Sequence, residues 1–122
     1  MSRARVPEDL LPLTPPVFHI LVALSDGERH GYAIMRQVAA HTNGKLQLGP
    51  GTLYGCLKRM LAAKLIEESD ERPDPELDDE RRRYYRITDF GVRTVKAEAQ
   101  RLATSVTAAR ARRLLARNPG GQ

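Results

Sequence analysis

The sequence has very little cysteine, few aromatic residues and no long apolar run. Its single cysteine, Cys56, excludes an internal disulfide framework and the paired-cysteine spacing of a structural zinc site. Aromatic residues make up only 5% of the chain, with no tryptophan. No apolar stretch approaches the roughly 20 residues that a membrane-spanning helix needs, and the first residues lack the apolar region of a signal peptide. We therefore expect a soluble, cytoplasmic protein without a membrane partner.

What the sequence has in excess is positive charge. Twenty Lys and Arg residues against 15 Asp and Glu residues give a net charge of +5, and the pI is about 9.8. Such a charge suits an anionic partner such as nucleic acid. Net charge indicates what a protein associates with and does not indicate its fold. A chain of 122 residues is expected to form one domain, whose small core self-association often supplements.

Apolar periodicity and turn residues predict three helices, a strand, a charged loop, a second strand and a final helix. Thr14 and the two prolines after it mark the start of the first helix, because proline in a first turn removes no helical hydrogen bond. The predicted fold class is mainly α with a small β-hairpin, a winged helix-turn-helix domain followed by a long C-terminal dimerisation helix. The predicted organisation is a flexible arm over residues 1–13, a DNA-binding domain over 14–88, a dimerisation helix over 89–117 and a disordered tail over 118–122.

The last predicted helix carries an apolar seam with coiled-coil spacing. Its members recur at intervals of three and four residues for almost three heptads, and they are Val92, Val95, Ala99, Leu102, Val106 and Ala109. A helix of about 28 residues extends about 42 Å, beyond a core of this size, so the seam needs a partner. We expect a second copy of the chain, and hence a homodimer. The alternative is that the helix folds back on the first helix of its own subunit.

The stretch GPGTLYGCLKRMLAAKLIEE, residues 49–68, predicts a third helix with two different faces. The residues expected to face inward are Leu53, Leu57, Met60 and Leu61, and those expected to face away are Gly51, Gly55, Lys58, Arg59 and Ala62. Thr52 and Tyr54 lie on opposite flanks. Small residues and cations near a helix N-terminus suit a helix that enters a DNA major groove, where exposed N–H groups favour phosphate. The alternative is an amphipathic surface helix with a solvated cationic face.

Together with RRRYYRITDFG, residues 81–91, this stretch resembles the PadR family of bacterial transcriptional regulators. His30-Gly31-Tyr32 is similar to the family's opening of helix two, and the resemblance covers roughly residues 13–110. It implies a winged-helix homodimer that represses neighbouring genes and leaves double-stranded operator DNA when a small molecule binds. By position, the resemblance implies DNA contacts from Gly51, Thr52, Tyr54 and Lys58, with Tyr32 near the DNA backbone. The chain departs from the family in having Lys64 where glycine is frequent, and in a longer, more acidic wing tip.

A dense basic cluster lies where the charged loop re-enters the predicted sheet. It consists of Arg81, Arg82 and Arg83. We expect these arginines to contact phosphates or the minor groove, and Arg59 to join them in the DNA-binding set. The alternative is internal neutralisation by the acidic residues 78–80, which immediately precede the cluster.

No pattern in the sequence predicts catalysis, a cofactor or a metal site. The three histidines share no ligand spacing, and no carboxylate pair, nucleophile–base arrangement or phosphate-cradling loop is evident. We therefore expect a nucleoid-associated regulator that is not an enzyme. A pocket for a small-molecule effector is expected between the first and last helices, where Phe18 is placed to line it. The alternative function is a winged helix that binds another protein instead of specific DNA.

Overall fold

The structure, a computed structural model, describes residues 5–69 and 83–116. Within these ranges the chain forms four α-helices, a three-stranded antiparallel sheet and a short 3-10 turn. The helices are α1 (Pro15–Leu24), α2 (Gly31–His41), α3 (Pro50–Ala62) and α4 (Asp89–Ala111). The strands are β1 (Arg29–His30), β2 (Ile66–Ser69) and β3 (Tyr84–Ile87), and the 3-10 turn is Pro7–Leu10. The predicted winged-helix architecture, mainly α with a long final helix, is confirmed.

The sheet has one strand more than the predicted hairpin. β3 lies in the middle, with β2 on one side and β1 on the other. β1 pairs through Arg29 with Tyr85 and through His30 with Tyr84. A two-residue strand carries no alternation of apolar and polar residues, so the sequence pattern did not predict it. The pairing also distinguishes the two tyrosines, because Tyr85 is buried in the core and the Tyr84 ring packs edge-on against His30.

The N-termini of α1, α2 and α4 are each capped by a side chain, whereas that of α3 is not. His30 Nδ1 accepts a hydrogen bond from the backbone N–H of Ala33 at 3.1 Å, and Thr88 Oγ1 accepts one from Gly91 at 2.9 Å. Such caps satisfy one of the free N–H groups in a first helical turn. α3 instead follows Gly49, which has no side chain to offer.

α3 ends at a residue with left-handed backbone conformation, Lys64, whose φ is 65°. The backbone N–H of Leu65 donates to Met60 O at 3.0 Å and closes the last turn. Glycine adopts this conformation without steric strain and is the usual residue there. The geometry therefore shows why glycine would suit this position, which Lys64 occupies here.

A single core joins the first three helices, the sheet and the start of α4. Its members include Ile20, Leu21, Leu24, Ile34, Val38, Leu53, Leu57, Met60, Ile66, Tyr85 and Val95. α4 enters this core at Gly91, where a Cβ atom would lie 2.8 Å from Ile87 Cγ1 and closer still to the carbonyl oxygen of Leu65. The absence of a side chain at Gly91 is what allows α4 to cross the start of β2 so closely.

The prediction of a flexible arm over residues 1–13 is corrected for residues 5–13, which pack against the rest of the chain. The 3-10 turn packs on α4, and Leu10 and Leu13 pack against the core. The backbone N–H of Leu13 donates to Glu98 Oε2 of α4 at 2.8 Å. Burial of these two leucines and this hydrogen bond hold the segment in place, which no local periodicity could indicate. Residues 1–4 lie outside the described ranges.

Arg5 extends this segment to the end of α3. Its Nη2 donates to the carbonyl oxygen of Ala63, and its guanidinium lies 5.1 Å from the centroid of the Phe90 ring of α4. Residues 5–13 therefore touch both the end of α3 and the first half of α4.

α4 is shorter than the predicted helix over residues 89–117. It ends at Ala111, beyond which Arg113 takes a left-handed conformation with a φ of 60°. The predicted tail, residues 118–122, lies outside the described ranges. Among the helices of the described residues, none combines the length and the apolar character required to span a bilayer.

Candidate nucleic-acid interface

α3 has one buried face and one exposed face, as its sequence predicts. Leu53, Leu57 and Met60 are each at most 1% exposed and belong to the core. The predicted contact residues Gly51, Thr52, Lys58 and Arg59 are all exposed. The core therefore fixes which side of the helix faces outward, and that side carries two cations.

The N-terminus of α3 offers backbone donors to solvent. The first turn follows the uncapped Gly49, and Pro50 occupies its first position, where a missing N–H is of no consequence. The N–H groups of Gly51 and Thr52 lie in the first helical turn, where no preceding carbonyl can accept them. Together with the positive end of the helix dipole, they favour an anionic group such as phosphate.

Tyr54 occupies a different environment from the other predicted contact residues. It is half-buried and packs against the core, with its hydroxyl beside Gly31 at the start of α2. Its ring thus lies between α3 and α2, not on the exposed face that carries Thr52 and Lys58.

Tyr32 is 42% exposed near the start of α2, where it stacks with an arginine that sequence reasoning missed. The guanidinium carbon of Arg36 lies 5.2 Å from the centroid of the Tyr32 ring. The spacing of four residues along a helix could have indicated this pair. Arg36 adds an exposed positive charge beside a predicted contact residue.

Arg59 lies nearer the C-terminal end of α3 than the other predicted contacts. Its Nη2 is 3.4 Å from the sulfur of Cys56, which is buried at 3% exposure and behaves as a small apolar residue. Arg59 also lines an apolar hollow of about 210 Å³ beneath the N-terminal segment, together with Leu10 and Met60.

The wing is described only at its base. Arg81 and Arg82 lie outside the described residues, and Arg83, just before β3, is exposed. Arg86 of β3 forms an ion pair with Glu67 of β2 at 2.8 Å, with both side chains about half exposed. One arginine of this strand is therefore neutralised across the sheet.

The predicted seam on α4 divides between two environments. Val95 is buried in the chain's own core and Val92 is half-buried, so the first part of the helix packs within the subunit. Further along, Ala99 is exposed, Leu102 and Val106 are 37% and 40% exposed, and Ala109 is partly buried. The first half of the helix therefore packs within the subunit, and the second half leaves Leu102 and Val106 open to solvent.

A buried carboxylate marks the boundary between the two halves of α4. Glu98 is 1% exposed, and Arg101 donates to its Oε1 from Nε at 2.5 Å and to its Oε2 from Nη2 at 3.1 Å. The hydrogen bonds from Arg101 and from the Leu13 backbone hold the pKa of Glu98 below its ordinary value, although burial opposes them. Because all these partners favour the charged form, Glu98 is an ionised carboxylate that links α4 to the N-terminal segment.

A pocket of about 310 Å³ lies beside Glu98 and Arg101, between α1 and α4. Its lining consists of Leu13, Pro15, Phe18, His19, Glu98, Arg101 and Leu102. Burial, and secondarily the nearby His41, lower the pKa of His19. Within the described residues, His19 Nδ1 is buried without a hydrogen-bond partner. The pocket is thus lined by the aromatic ring of Phe18, the neutral imidazole of His19 and the charged pair of Glu98 and Arg101. Leu102 belongs both to this lining and to the exposed part of the seam.

Within residues 5–69 and 83–116, no group of three or more His, Cys, Asp or Glu side chains is arranged to hold a metal ion.

Comparison with known proteins identifies relatives of the chain. Residues 20–97 match the model of the transcriptional regulator PadR-like family. A 37.1 kDa protein in transposon TN4556 of Streptomyces fradiae is 37% identical over 87 residues, which cover 69% of this chain and 22% of that protein. The chain therefore spans about a fifth of that relative's length.

Two solved structures are similar over most of the chain. A PadR family transcription regulator from Clostridium difficile R20291 has 25% identity and a TM-score of 0.66, covering 80% of this chain and 96% of the other. A PadR-like transcriptional regulator from Bacillus cereus has 25% identity and a TM-score of 0.63, covering 84% and 90%. The family resemblance predicted from the sequence is confirmed by these matches.

The hydrogen bonds that Glu98 accepts from Arg101 and Leu13 predict a pH dependence of stability. Because the pKa of Glu98 is lower in the folded chain than its ordinary value of 4.5, its stabilising effect is present above pH 4.5 and is lost as pH falls through the folded-state pKa. Glu98→Gln should reduce the free energy of unfolding by about 1 to 2 kcal/mol at pH 7, and this deficit should shrink in acid. Urea unfolding between pH 3 and pH 7, followed by circular dichroism, measures the difference.

Glu67→Gln is the matched control, because the Glu67–Arg86 pair is half exposed and surface pairs contribute little. A Glu98→Gln deficit that stays constant over the whole pH range would contradict the role of the ionised carboxylate.

Proposed function

Because the chain belongs to the PadR-like family of transcriptional regulators, we propose that it is a homodimeric repressor of transcription. It binds double-stranded operator DNA through α3 and leaves the DNA when a small-molecule effector binds. The observation that carries the proposal is the exposed cationic face of α3, beside an uncapped N-terminus and opposite a fully buried apolar face. Family members are transcriptional regulators and not enzymes. A repressor of this kind acts on the nucleoid, in the cytoplasm.

In the proposed complex, each α3 enters a major groove. Gly51 and Thr52 offer backbone donors to a phosphate, and Lys58 and Arg59 supply cations along the same face. Tyr32 contacts the DNA backbone from α2, with Arg36 beside it. The wing arginines contribute further phosphate or minor-groove contacts, from Arg81, Arg82 and Arg83.

The proposed dimer forms through the exposed half of the α4 seam. Leu102 and Val106 are apolar side chains of which more than a third of the surface is open to solvent. They lie with Ala99 on one stripe of the helix, and a second copy of the chain can cover that stripe by coiled-coil packing. Two α3 helices held by one dimer would then read half-sites about 34 Å apart on a near-palindromic operator.

The proposed effector site is the pocket between α1 and α4 that Phe18 lines. Support comes from its position, because Leu102 belongs to both the pocket and the exposed seam. A ligand that binds one arrangement of the two subunits better than another would shift the population of the DNA-binding arrangement.

Lys58→Ala tests the DNA-binding face. We expect operator affinity to fall about five- to tenfold near 0.1 M salt, and the slope of log K against log salt concentration to decrease by about 1, because one phosphate-neutralising cation is lost. Titration of a fluorescent operator duplex at several salt concentrations measures both quantities. Arg83→Ala, in the same titration, tests the base of the wing.

Lys96→Ala is the matched control for the same loss of charge on α4, at an exposed position outside the proposed DNA face. Equal losses from Lys58→Ala and Lys96→Ala would indicate general attraction instead of recognition by α3. Absence of salt-dependent retardation by the wild-type protein would favour the alternative of a protein-binding winged helix.

Leu102→Asp tests the dimer. A carboxylate in an apolar seam is strongly unfavourable, so the variant should sediment as a monomer where the wild type sediments as a dimer. Thr104→Asp introduces the same charge on the exposed opposite side of α4 and should leave the dimer intact. Dimeric sedimentation of the Leu102→Asp protein would contradict the seam assignment.

Phe18→Leu tests the effector pocket. Compounds that raise the melting temperature of the wild type and lower its operator affinity should lose both effects in this variant, because the aromatic wall is removed. Phe90→Leu is the matched control, since Phe90 is also a partly buried phenylalanine at the core but does not line the pocket. Equal responses of wild type and Phe18→Leu would place the effector elsewhere.

A further inference from the structure

We propose that Tyr54 is a positioning residue for the DNA-reading helix: its phenol fills the space left by the missing side chain of Gly31 and so fixes the orientation of α3 against α2. The inference deepens the proposed function, because it rests on α3 being the helix that reads DNA. It gives Tyr54 a role other than the direct DNA contact that its place in the sequence motif implies.

The contact between the two residues is unusually close. A Cβ atom added to Gly31 would lie 2.9 Å from Tyr54 Cζ and 3.2 Å from Cε1, and the hydroxyl would be nearer still. Ordinary van der Waals contact begins at about 3.4 Å, so even alanine at Gly31 requires the tyrosine ring to move by about 0.5 Å or more. Space exists for the phenol only because this position of α2 has no side chain.

Backbone conformation does not account for the glycine. The glycines with positive φ among the described residues are Gly27 and Gly44, and Gly31 is not one of them. Gly31 is the first residue of α2, behind a histidine that already caps the helix. Alanine is an equal or better helix former than glycine in such a backbone, so the requirement at Gly31 is for space.

Tyr54 lies in a packed environment near the start of α3. The tyrosine is half-buried, packs against the core, and follows Leu53, which is completely buried in the first turns of the same helix. In the proposed arrangement, a shift of its ring is transmitted to the helix segment that carries Thr52 and Lys58. Hydrogen bonds to DNA bases and phosphates tolerate only a few tenths of an ångström, so such a shift weakens specific recognition.

A double-mutant cycle separates positioning from direct contact. If Tyr54 positions α3, Gly31→Ala should lower specific affinity about tenfold, the order of effect expected for overpacking, and Tyr54→Phe should recover part of that loss by removing the atom nearest to the new methyl group. If the hydroxyl instead contacts DNA directly, the two substitutions weaken binding independently and their effects multiply.

The experiment uses the full chain and two DNA probes. The specific probe is a duplex that the wild-type protein selects from a random-sequence pool, and the non-specific probe is a scrambled duplex of the same length. Affinities of the wild type, both single variants and the double variant are measured by fluorescence anisotropy at several salt concentrations. Circular dichroism and melting temperature are recorded for each protein.

The expected result has three parts. Gly31→Ala lowers the ratio of specific to non-specific affinity, leaves the salt dependence of non-specific binding unchanged, and is partly rescued by Tyr54→Phe. A purely structural role would reduce both affinities together with the melting temperature, and would overturn the inference. Gly49→Ala is the control for the cycle, because a methyl group there meets nothing within 4 Å and should show no coupling with Tyr54→Phe.

The remaining outcomes are also decisive. If Gly31→Ala is recovered unfolded, restoration of folding by Tyr54→Phe or Tyr54→Leu supports the contact, and failure of both to restore it overturns the inference. If the wild type selects a duplex but the cycle shows no coupling, the positioning role is wrong while the proposed function stands. If the wild type selects no duplex at all, the proposed function fails, and the inference fails with it.

Discussion

The apolar side of α3 is the surface on which the rest of this domain depends. α1, α2 and β2 all contact α3, and its residues Leu53, Leu57 and Met60 are essentially inaccessible to solvent. Burial of a side chain of this size contributes about 1.5 to 3 kcal/mol, so turning α3 about its axis would sacrifice much of the stability of a small domain. The outward face of α3 is thus set by the core. The exposed residues of that face can change without disturbing the fold.

The sequence predicted those features that a regular period encodes. The two faces of α3 follow from apolar residues spaced three and four apart, and Leu53, Leu57 and Met60 are buried as expected. The same reasoning could not assign Tyr54, because a residue on the flank of a helix can face either solvent or a neighbour. Only the packing of α2 against α3, which brings Gly31 beside the tyrosine, determines its environment.

The features that the sequence did not reveal depend on contacts between distant segments. β1 has two residues and exists because β3 offers it a free edge, so no local pattern marks it. Likewise, the N-terminal segment is held by Glu98 and by the end of α3, and its own composition resembles that of a loose arm. The α4 seam shows a related limit: one apolar stripe serves the subunit's own core at Val95 and faces solvent at Leu102, and spacing alone cannot locate the change.

The hydrogen bond between Leu13 and Glu98 joins residues 85 positions apart, which has a consequence for synthesis of the chain. Translation at about 5 to 20 residues per second separates their appearance by roughly 4 to 17 s. During that interval α1, α2 and α3 can pack on one another, since their contacts are closer in sequence and form faster. Leu13 is made early, and its backbone N–H can be held by the carboxylate only after Glu98 has been made. The nascent chain therefore passes through a stage in which α3 can already pack on α1 and α2 but the N-terminal segment is not yet held by Glu98.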